Sequence, residues 1–441
     1  MMTNRARKLR ILFINRSYWP DSDVSCRSLT LLCEGLAKEF EVEVISGRRI
    51  QTQERHTAST VGSVRRHGVG IHRVFHTQFP KSSWLGSLLN LPTFLIAAFL
   101  TILWRSPPPD VVITGADPSL APILGRFLKW RYRALFVAYL QNVDPVITPK
   151  QVSPSRLLHW HWLHKLLVTS CNQADQIIVL NEEARSRCIE SGIWESIMTV
   201  IPHGVDCERI DSIKKSQRFR KENGLEDKFV VMAAASFGQT PLLDLIIDAA
   251  TELKSNPEIV FILHEEELQK KDLQKKIEKY DLDNIRLLSY PSREPEQNLG
   301  IADAHIVSMH PEAKKRLWPN NLYDLLAAGT AIISLSPTDS ALSRLVNSEE
   351  IGAVCDPVPA STCTSRFVET IRLMASDPEP VVQQGLRARQ LCHSEFHLHS
   401  QQDRWTRLVR ELTLHETGPG KINKQASHAY AGREDSAPYQ C

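Results

Sequence analysis

The chain has 441 residues, 42% of them hydrophobic and 23% charged, with a formal net charge of +3. That length exceeds what one hydrophobic core organises, so two domains of about 200 residues each are expected. The mild charge and the pI near 8.3 exclude the concentrated basic surface that nucleic acid demands, and the ordinary apolar content excludes a largely disordered chain.

The N-terminal segment MMTNRARKLRILFIN is basic and then apolar, but its apolar part is only a strand long, too short for a cleaved signal peptide. RILFIN (10–15) is the first predicted strand, a helix follows over 25–39, and EVEVIS (41–46) is the second strand. WLGSLLNLPTFLIAAFLTILW (84–104) is apolar, yet Gly86, Ser87, Asn90 and Pro92 interrupt its first half. It reads as a buried or interfacial helix rather than a membrane crossing. Its flanking tryptophans, with Lys81 and Arg105 outside them and Arg126, Lys129, Arg131 and Arg133 downstream, suit contact with an anionic membrane surface. A core helix beside a solvated basic face fits the same residues.

PDVVITG (109–115), ALFVAYL (134–140) and QIIVLN (176–181) continue the strand series. HWHWLH (159–164) does not put its three histidines on one helical face, so an amphipathic helix is expected there and no metal site. IPHGVD (201–206) then leads into a charged, apolar-poor stretch that reads as a linker. A second series of strands lies at 228–235, 258–264, 284–289, 304–309 and 330–336, with helical patterns between. The expected organisation is a first domain over 1–200, a linker over 201–228, a second domain over 229–392, a closing helix over 393–415 and a polar tail over 416–441. Alternating strands and helices predict an α/β protein with two Rossmann-like domains facing across a cleft. The nine cysteines are scattered and never spaced C-x-x-C, as in a cytoplasmic chain with reduced thiols.

LWPNNLYDLLAAGTAIISL (317–335) carries the chemistry. Pro319 disfavours helix before it, Asn320 or Asn321 is placed to cap a helix beginning at Leu322, and Gly329 stops it. Free amides at Asn320, Asn321 and Leu322 suit phosphate oxygens. Lys314, Lys315 and Arg316 add positive charge just upstream, Trp318 offers a ring for a base or sugar, and Asp324 places a carboxylate within reach of sugar or ribose hydroxyls. On these residues alone, an ordinary capped surface helix with a solvated basic run fits as well.

PNNLYDLLAAGTAII (319–333), SALSRLVNSEEIGAVCDP (340–357), VIPHGVD (200–206) and YWPDSDVSCRSLTLLCEGLAKEFEVEVIS (18–46) resemble the group 1, family 4 glycosyltransferases of GT-B fold. The likeness covers most of 8–412 and is nearest the branch that builds exopolysaccharide and O-antigen sugars. It implies a retaining transferase that moves a sugar from a nucleotide-sugar donor, held by the second domain, to a glycan or lipid-linked acceptor held by the first. It implies no metal or other cofactor. It further implies that Asn320 to Asp324 cradle donor diphosphate and sugar. The cysteine pattern and the 84–104 segment with its basic neighbours give the expected location, the cytoplasm and peripherally the inner face of the cell membrane.

The family pattern is also broken in places. Of its two motif glutamates, Asp324 stands at the second position and Arg316 at the first, which reverses the charge. The basic residues expected after the second domain's first strand fall at Ser236 and Pro241, leaving Ser236 and Gly238 as the donor-facing residues of that loop. On the acceptor side, Asp23 stands where a glycine is expected and Asn142 where an acid is. Lys315 and Arg316 are therefore expected to hold the diphosphate, and Asp324, Asn142 and Asp23 to act at the reacting groups. A degenerate GT-B protein that binds a nucleotide sugar or a partner enzyme, and a sugar-nucleotide epimerase, are the alternatives.

Overall fold

The computed structural model describes residues 7–21, 24–48, 61–79, 84–104, 107–115, 117–141, 157–210, 213–233, 240–264, 270–288, 295–308, 319, 321–358 and 362–417. The first sheet contains β1 (Arg10–Ile14), β2 (Glu41–Gly47), β3 (Gly62–Arg66), β4 (Val69–Val74), β5 (Val111–Thr114), β6 (Leu135–Leu140), β7 (Gln176–Val179) and β8 (Met198–Val200). Among the described residues its strand order is β3-β4-β2-β1-β5-β6-β7-β8. Apart from the antiparallel β3–β4 pair, every pairing is parallel, with Leu12 opposite both Glu43 and Val112. β6 is buried along its whole length, as expected of a strand covered by helices on both faces.

The second sheet contains β9 (Phe229–Ala233), β10 (Ile259–His264), β11 (Ile285–Leu288), β12 (Ala304–Ser308), β13 (Ala331–Leu335) and β14 (Gly352–Cys355). Among the described residues its order is β11-β10-β9-β12-β13-β14, parallel throughout. In each sheet the order reverses beside its first strand, and the crevice at that reversal lies beyond the strands' carboxyl ends. The two Rossmann-like domains expected from the alternating pattern are therefore present.

The hairpin of β3 and β4 is absent from the sequence reading. Its turn, His67-Gly68, has positive φ at both residues (45° and 87°), which matches the twist of a two-residue hairpin loop. β3 is an exposed edge strand carrying Arg65 and Arg66, so it lacks the buried apolar run that marks the other strands.

The stretch read as a linker is more ordered than its composition suggests. It winds into helices at Cys207–Ile210 and Ile213–Glu222, and Cys207, Ile210 and Leu225 are buried. Arg220 organises it by donating to Asp303 at 3.0 and 3.2 Å, while the same carboxylate accepts the Val230 amide at 2.7 Å.

The chain passes between the domains twice, side by side. Val205 donates its amide to the Phe396 carbonyl at 2.8 Å, and Leu398 donates to the Val205 carbonyl at 2.9 Å. A Cβ on Gly204 would lie 3.0 Å from the Leu398 Cα, so glycine allows the strands of this crossing to touch. Beyond the crossing, the Leu398–Thr417 helix returns to the first domain, where Trp405 and Val409 join the core of β1 and the Val24–Leu36 helix.

Candidate functional site

Asp324 sits in the first turn of the Leu322–Ala328 helix, whose Leu322, Tyr323, Leu325, Leu326 and Ala327 are all buried. Such an apolar helix belongs in a core, so its one acid must find a partner. Gly329 ends the helix in the left-handed region (φ 71°). Gly385 fits beneath that turn, for a Cβ there would lie 2.3 Å from the Gly329 carbonyl oxygen. These contacts fix where Asp324 stands, and the residue is only 8% exposed.

Its partner comes from the other domain. Arg27, in the first turn of the Val24–Leu36 helix, donates through Nη2 to Asp324 Oδ2, and both side chains are largely buried. The two residues are 297 positions apart, so the ion pair spans the cleft. Because burial makes either charge costly alone, breaking the pair from one side is expected to cost about 3 kcal/mol. A second pair between the domains, Arg344 to Glu183 at 3.1 Å, is more exposed and contributes less.

A chain of rings runs parallel to that ion pair. Trp405 packs edge-on against Tyr139 of β6 (5.0 Å between centroids), Tyr139 against His203 (6.4 Å), His203 against Tyr323 (5.8 Å) and Tyr323 against Phe396 (5.0 Å). His203 Nδ1 lies 3.3 Å from the Tyr139 hydroxyl. The junction loop thus ties the first domain's sheet to the helix that carries Asp324. Burial lowers the His203 pKa to about 4, so the ring is neutral at pH 7.

The reversal point of the first sheet gathers polar groups from β1, β2, β4 and β5. Arg16 pairs with Asp117 at 2.7 Å, Ser17 donates to the same carboxylate, and the Asp117 amide donates to Asn15 Oδ1 at 3.1 Å. Gly47 permits the crowding, since a Cβ there would lie 2.6 Å from the His76 ring and 3.1 Å from Arg16 Cγ. Burial first, then the positive charges of Arg16 and Arg48, lowers the His76 pKa to about 4. The positive charge at this edge suits an anionic or hydroxyl-rich ligand better than a cation.

Among the described residues no group of three His, Cys, Asp or Glu side chains gathers as a metal ligand set. The whole arrangement is one of two facing sheet crevices, a cation bridging them, and buried rings, His203 neutral among them, beside the double crossing of the chain. Such a geometry suits a polar ligand.

Comparison with known proteins gives this geometry a family. The description Glycosyltransferase Family 4 matches residues 27–209, and Glycosyl transferases group 1 matches residues 215–390. The two matches take in most of the chain, one on each sheet. The chain belongs to the group 1, family 4 glycosyltransferases of GT-B fold.

Solved structures share the fold of this glycosyltransferase at low sequence identity. HepE from Anabaena, in complex with UDP, is 15% identical with a TM-score of 0.66, over 91% of this chain and 100% of that one. Sucrose-phosphate synthase from Thermosynechococcus elongatus is 14% identical with a TM-score of 0.68, over 92% and 99%. WaaG, a glycosyltransferase involved in lipopolysaccharide biosynthesis, is 14% identical with a TM-score of 0.64, over 90% and 99%. No curated protein sequence matches.

Of the residues singled out from the sequence, Asp324, Asn321 and Leu322 are described. Asn321 occupies the helix-capping position, but its side chain makes no capping hydrogen bond. The Leu322 amide donates to the Pro319 carbonyl at 3.0 Å, so the turn itself takes a donor that sequence reasoning left for phosphate. Asp23, Asn142, Ser236, Gly238, Lys315, Arg316 and Asn320 lie outside the described residues, as do Lys314 and Trp318. Sequence reasoning missed Arg27, Arg16 and Asp117. The positions of Arg16 and Asp117 just after β1 and β5, and of Arg27 in the first turn of the helix that follows β1, were the available signal, since loops and helix starts beyond the reversal strands are where α/β sheets bind ligands.

Proposed function

We propose that this glycosyltransferase takes a sugar from a nucleotide-sugar donor and transfers it, with retention, to a glycan or lipid-linked acceptor in cell-surface or exopolysaccharide assembly. The observation that carries the reading is that Asp324, on the donor-side half of the family pattern, meets Arg27 from the acceptor-side half at the cleft. In the reaction, the bond between the anomeric carbon and the donor's β-phosphate oxygen breaks, and its electron pair stays on that oxygen. An acceptor hydroxyl oxygen bonds to the same carbon, and its proton passes to the departing diphosphate. Asp324 orients donor hydroxyls, Asn320 and Asn321 with Lys315 and Arg316 serve the diphosphate while the Leu322 amide stays with Pro319, Ser236 and Gly238 serve the donor side, and Asp23 and Asn142 serve the acceptor. Closure about the segment 202–206 excludes water from the reacting carbon. The reading needs no metal or cofactor.

Thermal shift against a nucleotide-sugar panel, followed by assay of nucleoside diphosphate release with glycan and lipid acceptors, tests the proposal. A ligand at a hundred times its Kd should add about 2.7 kcal/mol of stability. Failure of every nucleoside diphosphate and nucleotide sugar to bind refutes the reading. Binding and stabilisation without release in any acceptor mixture favours a degenerate, ligand-binding protein.

A cytoplasmic, membrane-peripheral location is part of the same proposal. No helix among the described residues is long and apolar enough to cross a membrane. The Trp84–Leu103 helix buries Phe94, Ala98 and Ile102 but exposes Ile96 and Leu100, and Trp104 follows almost fully exposed. Phe99 packs against Phe127 at 5.0 Å and Phe127 against Trp130 at 5.8 Å, joining this helix to the Ala121–Tyr132 helix. Trp130 is exposed there beside exposed Arg126 and Arg131. An aromatic surface rimmed by arginines suits an anionic bilayer, and sedimentation with liposomes that ignores acidic lipid content refutes this part.

A further inference from the structure

We infer that Arg27 is a donor-site residue: beside Lys315 and Arg316, the first domain delivers across the cleft a further cation in place of those missing at Ser236 and Pro241. The inference rests on the nucleotide-sugar reading above. Three observations lead to it. Ser236 and Pro241 stand where the second domain's basic residues are expected, so that loop offers no side-chain cation at those positions. The Leu322 amide is spent on Pro319, which removes one of the backbone donors. And the Asp324 carboxylate, on the element assigned to the donor, is held by an arginine whose own helix belongs to the opposite sheet.

A pair of this kind has two possible uses, and they differ in what each partner does to an anion. If the pair is only a latch, Arg27 and Asp324 are equivalent, because losing either one breaks the same bond. If Arg27 serves the donor, they are opposed. The guanidinium attracts a diphosphate and presents a planar fork to its oxygens, whereas the carboxylate repels it and competes for the same N–H groups. Burial strengthens both effects by reducing solvent screening, and a leaving diphosphate gains charge as the glycosidic bond breaks, so the cation is worth most in the transition state. Domain closure would then assemble the donor site, because the cation and the carboxylate arrive from different halves of the chain.

Calorimetry of the full chain with inorganic pyrophosphate, UDP, GDP and ADP separates these cases. Pyrophosphate carries neither ribose nor sugar, so Asp324 affects it only through charge. Arg27→Ala should weaken pyrophosphate and the preferred nucleoside diphosphate tenfold or more. Arg27→Gln, which keeps a hydrogen-bond donor for Asp324 but no charge, should weaken both to a similar degree and serves if the alanine variant does not fold. Arg27→Lys should recover most of the affinity. Asp324→Asn should leave pyrophosphate binding unchanged or strengthen it a few-fold. Equal losses in Arg27→Ala and Asp324→Asn assign the pair to a latch and overturn the inference, as does unchanged affinity in the Arg27 variants. If the unmodified protein binds none of the four probes, the nucleotide-sugar reading itself fails and takes this inference with it.

Discussion

His203 gives the stability of the domain junction a dependence on pH that can be worked out from its surroundings. The ring is 2% exposed, touches Tyr139 on one side and Tyr323 on the other, and has its pKa lowered from 6.5 to about 4 by burial. The unfolded chain therefore takes up a proton near pH 6.5, while the folded chain resists it until about pH 4. Protons bind the unfolded state more readily in this window, so stability is complete above pH 6.5 and falls as the pH drops towards 4. At about 1.4 kcal/mol per pKa unit the full loss is on the order of 3 kcal/mol, and roughly 2 kcal/mol of it is reached by pH 5. His203→Phe removes the titration and also a hydrogen bond to Tyr139 worth about 1 kcal/mol. The variant should consequently be less stable than the unmodified protein at pH 7 and more stable at pH 5. His76 and His305 are buried with similarly lowered pKa values, but they are present in both proteins and cancel in the difference. Urea unfolding at pH 7, 6 and 5, followed by tryptophan fluorescence, reads the crossover. Stability curves that stay parallel from pH 7 to 5 refute the reasoning, because they would mean that His203 titrates alike in both states.

Gly385→Ala drives a methyl group into the Gly329 carbonyl; it should cost about 2 kcal/mol in urea unfolding and, by moving the Leu322–Ala328 helix, weaken donor binding. Asp303→Ala strands Arg220 and the Val230 amide, and a loss of about 3 kcal/mol, seen as an earlier transition of the second domain, is expected. Trp405→Ala empties a fully buried site in the first domain's core and should cost about 3–5 kcal/mol, although the residue lies at the other end of the chain from β1. Chelation with EDTA should leave sugar transfer unchanged, as measured by nucleoside diphosphate release before and after dialysis.

Much of the architecture was legible in the residues. Buried parallel strands announce themselves as continuous apolar runs, and RILFIN, ALFVAYL and AHIVSM each fall on an observed strand. The Gly329 stop and the acid in the first turn of its helix were equally readable, because both depend on local backbone geometry. β3 was not, since an exposed edge strand has no apolar run to reveal it. The helix at Ile213–Glu222 was hidden for a different reason: Arg220 holds it through an ion pair with Asp303, and Phe219 adds a single partly buried apolar contact rather than a periodic stripe.

By itself, then, the sequence determined the α/β class, the pair of domains, the family and the helix that bears Asp324. Only the tertiary structure decided what Asp324 faces. Periodicity and capping act over a few neighbouring residues, so they specify an element but say nothing about a charge on another sheet. The meeting of Arg27 with Asp324, and of Tyr139 and Tyr323 with His203, comes from two domains packing around a double crossing of the chain. Such contacts depend on the summed burial of both domains, and no local pattern in either segment encodes them.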